Sequence, residues 1–178
     1  MKVGYKKGVI TMELRIVKTR KTINNSFYEL FEQKDFDKIT VKDITEHAQI
    51  GRKTFYLHYI DKYDLLDRIV DKKFKALEEI CEAKKELGMQ QGVKIWFAFF
   101  EENKAFFTKL FSIQYSDKYK KNLRTFMEKE FEHLSAKELS EFSEILEFQD
   151  QELLALINGH SATDKKHLIP MLEKIRRA

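Results

Sequence analysis

A chain of 178 residues, 43% of them hydrophobic and 15 of them Phe, is long enough to bury a core without disulfides or a structural metal. Six Gly and one Pro argue against a many-turned β architecture and for long helices, and the single cysteine, Cys81, excludes an internal disulfide and suits a reducing cytoplasm. The net charge of +4 is unevenly spread: residues 1–21 hold seven cations (Lys2, Lys6, Lys7, Arg15, Lys18, Arg20, Lys21) against one acid, Glu13, as expected where one end of a protein meets a polyanion.

Apolar residues recur at helical spacing nearly throughout, which predicts an all-α fold. Ile16, Ile23, Phe27, Leu30 and Phe31 make one stripe on a first helix of about 20 residues. It should end near Asp35, a residue type that tolerates the left-handed conformation. Thr40-Val-Lys-Asp43 reads as a capping box that opens a short second helix with Val41, Ile44 and Ala48 inward. A break at Gln49-Ile-Gly51 leads to a third helix from Arg52 to about His58, and Asp61 is placed to cap a fourth. Leu65, Leu66, Ile69, Val70, Leu77 and Ile80 form that helix's long seam, and Gly88 and Gly92 bracket an expected loop.

Beyond the loop, seven large aromatics lie between Trp96 and Phe111, interrupted by Glu101-Glu-Asn-Lys104, which predicts two helices meeting at the polar interruption. Leu123, Phe126, Met127, Phe131 and Leu134 continue on another helix. Ser135-Ala-Lys-Glu138 reads as a second capping box before Leu139, Phe142, Ile145 and Leu146. A short helix over 150–158 stopped by Gly159, and a last one over 165–177, complete the chain. No run approaches the ~18 apolar residues of a membrane span, and no signal-peptide core follows the N-terminal lysines. A cytoplasmic protein without membrane partners is the expectation.

Residues 40–59 carry the functional signal. Two short helices separated by a tight break, packed through Val41, Ile44, Ala48, Ile50 and Phe55, form a helix-turn-helix whose second helix can enter the major groove of duplex DNA. That helix offers Arg52, Lys53, Thr54 and Tyr56 to base edges and phosphates while Phe55 points inward. Thr40 and Lys42 start the preceding helix and Lys62 starts the next, where backbone amides and the positive end of the helix dipole favour phosphate.

These residues resemble the TetR/AcrR family of transcriptional repressors. The resemblance rests on Thr40-Val-Lys-Asp-Ile44, Ala48, Thr54-Phe-Tyr-Leu-His-Tyr59 and Asp61-Lys-Tyr-Asp-Leu-Leu66, with Ile23, Phe27, Leu30 and Phe31 upstream, and covers about residues 15–75. Two departures stand in its turns. Ala48-Gln-Ile-Gly51 replaces the family's Ala-Gly-Val-Ser, and Asp35 replaces the Gly before Phe36. The resemblance implies a homeodomain-like DNA-binding domain over 13–62, joined by a long fourth helix to a helical ligand-binding and dimerisation domain over 63–178. It implies a homodimer on a near-palindromic operator, released by a small-molecule inducer. By position, Thr40, Thr54, Tyr56, His58 and Lys62 match phosphate contacts, and Gly51, Arg52 and Lys53 fall where bases are read; His58 is alternatively a packing histidine.

The aromatic stretch with Trp96, Phe100, Phe107 and Phe111 resembles the start of the second domain in shorter members, as pocket lining or as ordinary core. From Phe126 onward the pattern is instead similar to the small helical assembly factors of succinate dehydrogenase, without their Arg-Gly-x-x-Glu motif. A protein-interaction or assembly module is thus the competing reading. No catalytic constellation and no cofactor motif is present in the sequence, and the five histidines show no spacing suited to zinc.

Overall fold

A computed structural model describes residues 4–132 together with positions 135 and 137. These form α1 (Gly4–Gln33), a 3-10 turn (Phe36–Lys38), α2 (Val41–His47), α3 (Arg52–Tyr56), α4 (Lys62–Leu87), α5 (Met89–Glu102), α6 (Lys104–Ser112) and α7 (Asp117–Glu132), with no strand among the described residues. The chain divides into two units, Met1–Ile69 and Val70–Ala178, so the division falls inside α4 and past the boundary expected after Lys62.

The first unit is built on the α1 stripe. Ile23, Phe27, Leu30 and Phe31 are buried with Phe36 and Ile39 of the turn, Ile44 and Ala48 of α2, Phe55 of α3, and Leu65, Leu66 and Ile69 of α4. Phe27 stacks on Phe31 at 5.4 Å, and both meet Phe36 edge-on at 6.3 and 6.1 Å. Burying each such ring contributes about 1.5–3 kcal/mol, so the 3-10 turn and two helices too short to persist alone, α2 and α3, are fixed against one long helix.

In the second unit α5 packs on α6 and α6 on α7. Val93, Trp96, Phe97, Phe100, Phe106, Phe107, Leu110, Leu123 and Met127 are buried, as is the thiol of Cys81. Lys73 of α4 is half-buried in this unit: its ammonium donates to Asn103 Oδ1 and lies 4.7 Å from the centre of the Phe106 ring. Asn103 in turn donates through Nδ2 to Phe99 O at 2.7 Å, so one amide closes α5 and receives α4's cation. Burial pushes the Lys73 ammonium's pKa down.

Several expectations need correction. α1 runs for 30 residues rather than about 20. Asp35 is not left-handed: at φ −59° and ψ 137° it is extended, because it opens the 3-10 turn instead of closing α1. Gly92 is inside α5, buried, so the expected loop contracts to Gly88 alone, whose φ of 79° separates α4 from α5 where a residue with a Cβ would be strained. α3 ends at Tyr56, two residues before the expected His58, and Val41 is only partly buried. The meeting of two helices at the polar interruption is observed, with Asn103 as the hinge residue. The second capping box and the helices expected after it lie mostly outside the described residues, as do His160 and His167.

Candidate nucleic-acid interface

The interface is built from α2 upward. Thr40 N–H donates to Asp43 Oδ2 at 2.8 Å, and Asp43 N–H donates back to Thr40 Oγ1 at 3.1 Å, the reciprocal pair expected of a capping box. The Thr40 hydroxyl proton is also given to Asp43 Oδ2, at 2.7 Å. These bonds hold the Asp43 carboxyl below its usual range, so it stays ionised. Lys34, just past the end of α1, lies 3.5 Å from the same carboxylate and ties the start of α2 to the end of α1. Thr45, buried on α2, satisfies its hydroxyl on Val41 O and Lys42 O at 2.9 and 3.1 Å.

The break between α2 and α3 turns on Gln49, whose φ of 53° is the only left-handed non-glycine conformation among the described residues. This is the position where the resembled family carries Gly, while Gly51 here caps α3 in extended conformation at φ −73°. Glycine thus stands where none is required, and glutamine where glycine would relieve about 1 kcal/mol of backbone strain. A Cβ at Gly51 meets nothing within 4 Å. The pair Gln49→Gly and Gly51→Ser is therefore expected to stabilise the fold by about 1 kcal/mol, most of it from position 49. The check is a thermal melt followed by circular dichroism; a midpoint equal to or below wild type would refute the strain.

α3 is a turn and a half of helix with a clean division of faces. Phe55 is fully buried and meets Tyr59 at 5.6 Å, while Arg52, Lys53 and Tyr56 are exposed and Thr54 is half-exposed. Among the described residues, neither Arg52 nor Lys53 is engaged in an ion pair or side-chain hydrogen bond. Both cations are therefore available to an external acceptor without first breaking an internal bond. Lys42 has only an exposed pairing with Glu46, at 3.8 Å, of the kind worth a few tenths of a kcal/mol at about four residues' spacing. Leu57 and Ile60, just past the end of α3, are 80% and 77% exposed, two apolar side chains that sequence patterning did not single out.

The far end of α3 is fastened on two sides. Tyr59 Oη donates to Asn24 Oδ1 of α1 at 2.8 Å, and Arg68 of α4 lies over the Tyr59 ring at 5.6 Å. His58 is held below its usual pKa, first by burial and then by the Arg20 cation, so the folded imidazole is neutral at pH 7. Asp61 caps α4 as expected, accepting from the amides of Tyr63 and Asp64 at 2.8 Å each.

Lys62 is where the structure departs most from expectation. Its Nζ donates to the carbonyls of Phe36, Asp37 and Ile39 at 2.8, 3.1 and 2.8 Å, and lies 4.6 Å from the Phe36 ring centre. All three ammonium protons are thereby used, so in this conformation Lys62 has none for a phosphate. Partial burial pulls its pKa down, against the opposing pull of Asp37 and Asp61. Of the expected set, Arg52, Lys53, Thr54, Tyr56 and Lys42 present side chains outward, Gly51 caps, Thr40 and Lys62 are spent on internal bonds, and His58 is half-buried. The Asn24–Tyr59 bond and the Lys62 cradle had no local signal, since each joins residues 23 or more positions apart.

In the second unit, Trp96, Phe100, Phe107 and Phe111 form one chain of rings at 4.8, 5.3 and 5.8 Å. Phe100 and Phe107 have no exposed surface, so a small molecule reaching them has to displace core packing. Among the described residues, no group of His, Cys, Asp and Glu could hold a metal ion, and no helix is long and apolar enough to cross a membrane.

Comparison with known proteins agrees with this geometry. The family model for bacterial regulatory proteins of the tetR family matches residues 28–69. A second model, the flavinator of succinate dehydrogenase, matches residues 120–178, most of which lie outside the described residues. The chain is 30% identical over 95 residues to the dhaKLM operon transcriptional activator DhaS of Lactococcus lactis, covering 53% of this chain and 50% of that protein. It is 37% identical over 62 residues to the uncharacterized HTH-type transcriptional regulator YxbF of Bacillus subtilis, covering 34% of this chain and 16% of that protein. The matches thus span half or less of these relatives' lengths. Among solved structures, a transcriptional regulator (TerR/AcrR family) from Aquifex aeolicus VF5 shares the fold at a TM-score of 0.63 and 22% identity, over 89% of this chain and 96% of that one. The dihydroxyacetone kinase operon activator DhaS does so at 0.52 and 22%, over 90% and 97%.

Proposed function

We propose that this chain, a member of the TetR/AcrR family of transcriptional regulators, binds a near-palindromic DNA operator as a cytoplasmic homodimer. The observation that carries the reading is the outward face of α3, where Arg52 and Lys53 are exposed and uncommitted on a helix whose other face is anchored by Phe55. A guanidinium or ammonium so placed can donate to guanine O6 and N7 in the major groove. Lys42, Tyr56 and Thr54 supply flanking phosphate contacts, Gly51 offers the backbone end of α3, and His58 stands at the margin, while Thr40 acts through the α2 start that its capping box fixes. Affinity rests chiefly on phosphates and falls with salt; preference rests on α3.

Regulation is proposed as repression relieved by a small molecule in the C-terminal unit, entering among Trp96, Phe100, Phe107 and Phe111. Such a molecule acts only through different affinities for the DNA-competent and DNA-incompetent states. The relative DhaS is named an activator, so the sign of regulation is decided by experiment: a reporter on the DNA upstream of this gene, with and without the protein. Repression predicts a higher signal in its absence, activation a lower one.

The DNA reading is tested by titrating the full chain against that upstream DNA and an unrelated duplex over a salt series. Tighter binding to the former, retained as salt rises, is expected. Equal binding to both, or none, would favour the second reading, an interaction module in which the segment matched to the succinate dehydrogenase flavinator supplies the working surface.

A further inference from the structure

The DNA footprint proposed above ends at the edge of α3, yet the strongest uncommitted charge of the first unit continues past it onto α1. Between residues 13 and 28 the chain has Arg15, Lys18, Arg20 and Lys21 exposed, with Glu13 the single acid. Among the described residues none of the four cations is held in an ion pair; those of this unit engage Lys34, Lys38, Lys42, His47 and Arg68. Arg20 differs from its neighbours in where it stands. It is one helical turn before Asn24 on the same face, and Asn24 accepts from Tyr59 Oη at 2.8 Å, so the face that carries Arg20 abuts the end of α3. The Arg20 charge is felt by both His58 and Tyr59. Arg68 lies over the Tyr59 ring at 5.6 Å, with its charge already met by Asp64 at 2.9 Å.

We propose that Arg20 is a phosphate-contacting residue, which extends the DNA interface from α3 onto α1 along one strand of the duplex. This rests on the DNA-binding reading above. Arg20 supplies the charge that neutral His58 does not, from a rigid long helix instead of a loop. The Asn24–Tyr59 hydrogen bond sets the distance between this contact and the base-reading face. A guanidinium suits the role because its fork of donors meets two phosphate oxygens at once. Because it meets phosphate and not a base edge, it adds affinity without altering preference.

The test is a fluorescence-anisotropy titration of the full chain, as wild type, Arg20→Ala, Arg20→Lys and Arg52→Ala, on the upstream and unrelated duplexes over a salt series. Arg20→Ala is expected to weaken binding to both duplexes by the same several-fold factor, with the dependence of log affinity on log salt shallower by about one. Arg20→Lys should keep the wild-type slope, and Arg52→Ala should lose preference. An Arg20→Ala protein with wild-type slope, or one that loses preference for the upstream duplex, would overturn the contact. If Arg52→Ala loses preference while Arg20→Ala is silent, this inference fails and the DNA reading stands. Absence of DNA binding in the wild type would overturn both.

Discussion

Replacing Arg52 and Lys53 together by alanine is expected to remove sequence-preferring DNA binding while leaving the fold intact. Each good bidentate contact to a base contributes about 1–3 kcal/mol of discrimination, so losing both lowers the preference for the upstream duplex by about 30-fold or more. The fold should not notice, because both side chains are exposed and bonded to nothing else among the described residues. Surface replacements of this kind stay within about 0.5 kcal/mol of wild type. Anisotropy against the upstream and unrelated duplexes, run beside a thermal melt, separates the two effects. A double variant that melts as wild type and still prefers the upstream duplex would remove α3 from the reading role.

Lys62→Met carries the second large effect, and it falls on stability first. The ammonium donates to the carbonyls of Phe36, Asp37 and Ile39, of which Phe36 O also accepts the Ile39 N–H of the 3-10 turn at 3.1 Å. Hydrogen bonds to a charged donor contribute about 1.5–3 kcal/mol each when the acceptor is withdrawn from water. Partial exposure here lets water replace some of them, which puts the expected loss at about 2–3 kcal/mol overall. Methionine keeps the aliphatic stem against Phe36, so the change isolates the ammonium. Urea unfolding followed by circular dichroism reads the result. An unaltered midpoint with weaker, less salt-sensitive DNA binding would mean that Lys62 faces phosphate instead, as the family resemblance implies.

How much of this was legible in the sequence follows from the range of each interaction. The capping box at Thr40 and Asp43 and the Asp61 cap span at most three residues, so their spelling alone locates two helix starts. The core face of α1 was legible because one long helix repeats its period many times. The turn was legible as a turn but not in its geometry: the strained residue is Gln49, and the sequence drew attention to Gly51. Gly92 was misread for a related reason, since a glycine buried in a helix and one at a break look alike without the neighbour that fills its space. The aromatic run predicted burial well, but core and ligand lining use the same residue types, and the ring chain from Trp96 to Phe111 does not separate them. Contacts such as Asn24 with Tyr59, or Lys62 with Ile39, depend on which surfaces the fold brings together, and periodicity holds no record of that.

The division of α3 into an anchored face and an open one also bears on how such a protein changes over generations. Phe55 and Tyr59 hold the helix from beneath with Ile44 and Ala48, and none of these four side chains is exposed. Arg52 and Lys53 contribute little to that hold, whereas the Tyr56 ring meets Phe55 edge-on at 5.5 Å. Mutations at Arg52 and Lys53 and mutations in the support should therefore combine more nearly additively than mutations at Tyr56. On the proposed DNA-binding reading, a lineage can then change the DNA it prefers through Arg52 and Lys53 by single steps, each one folding as well as its parent.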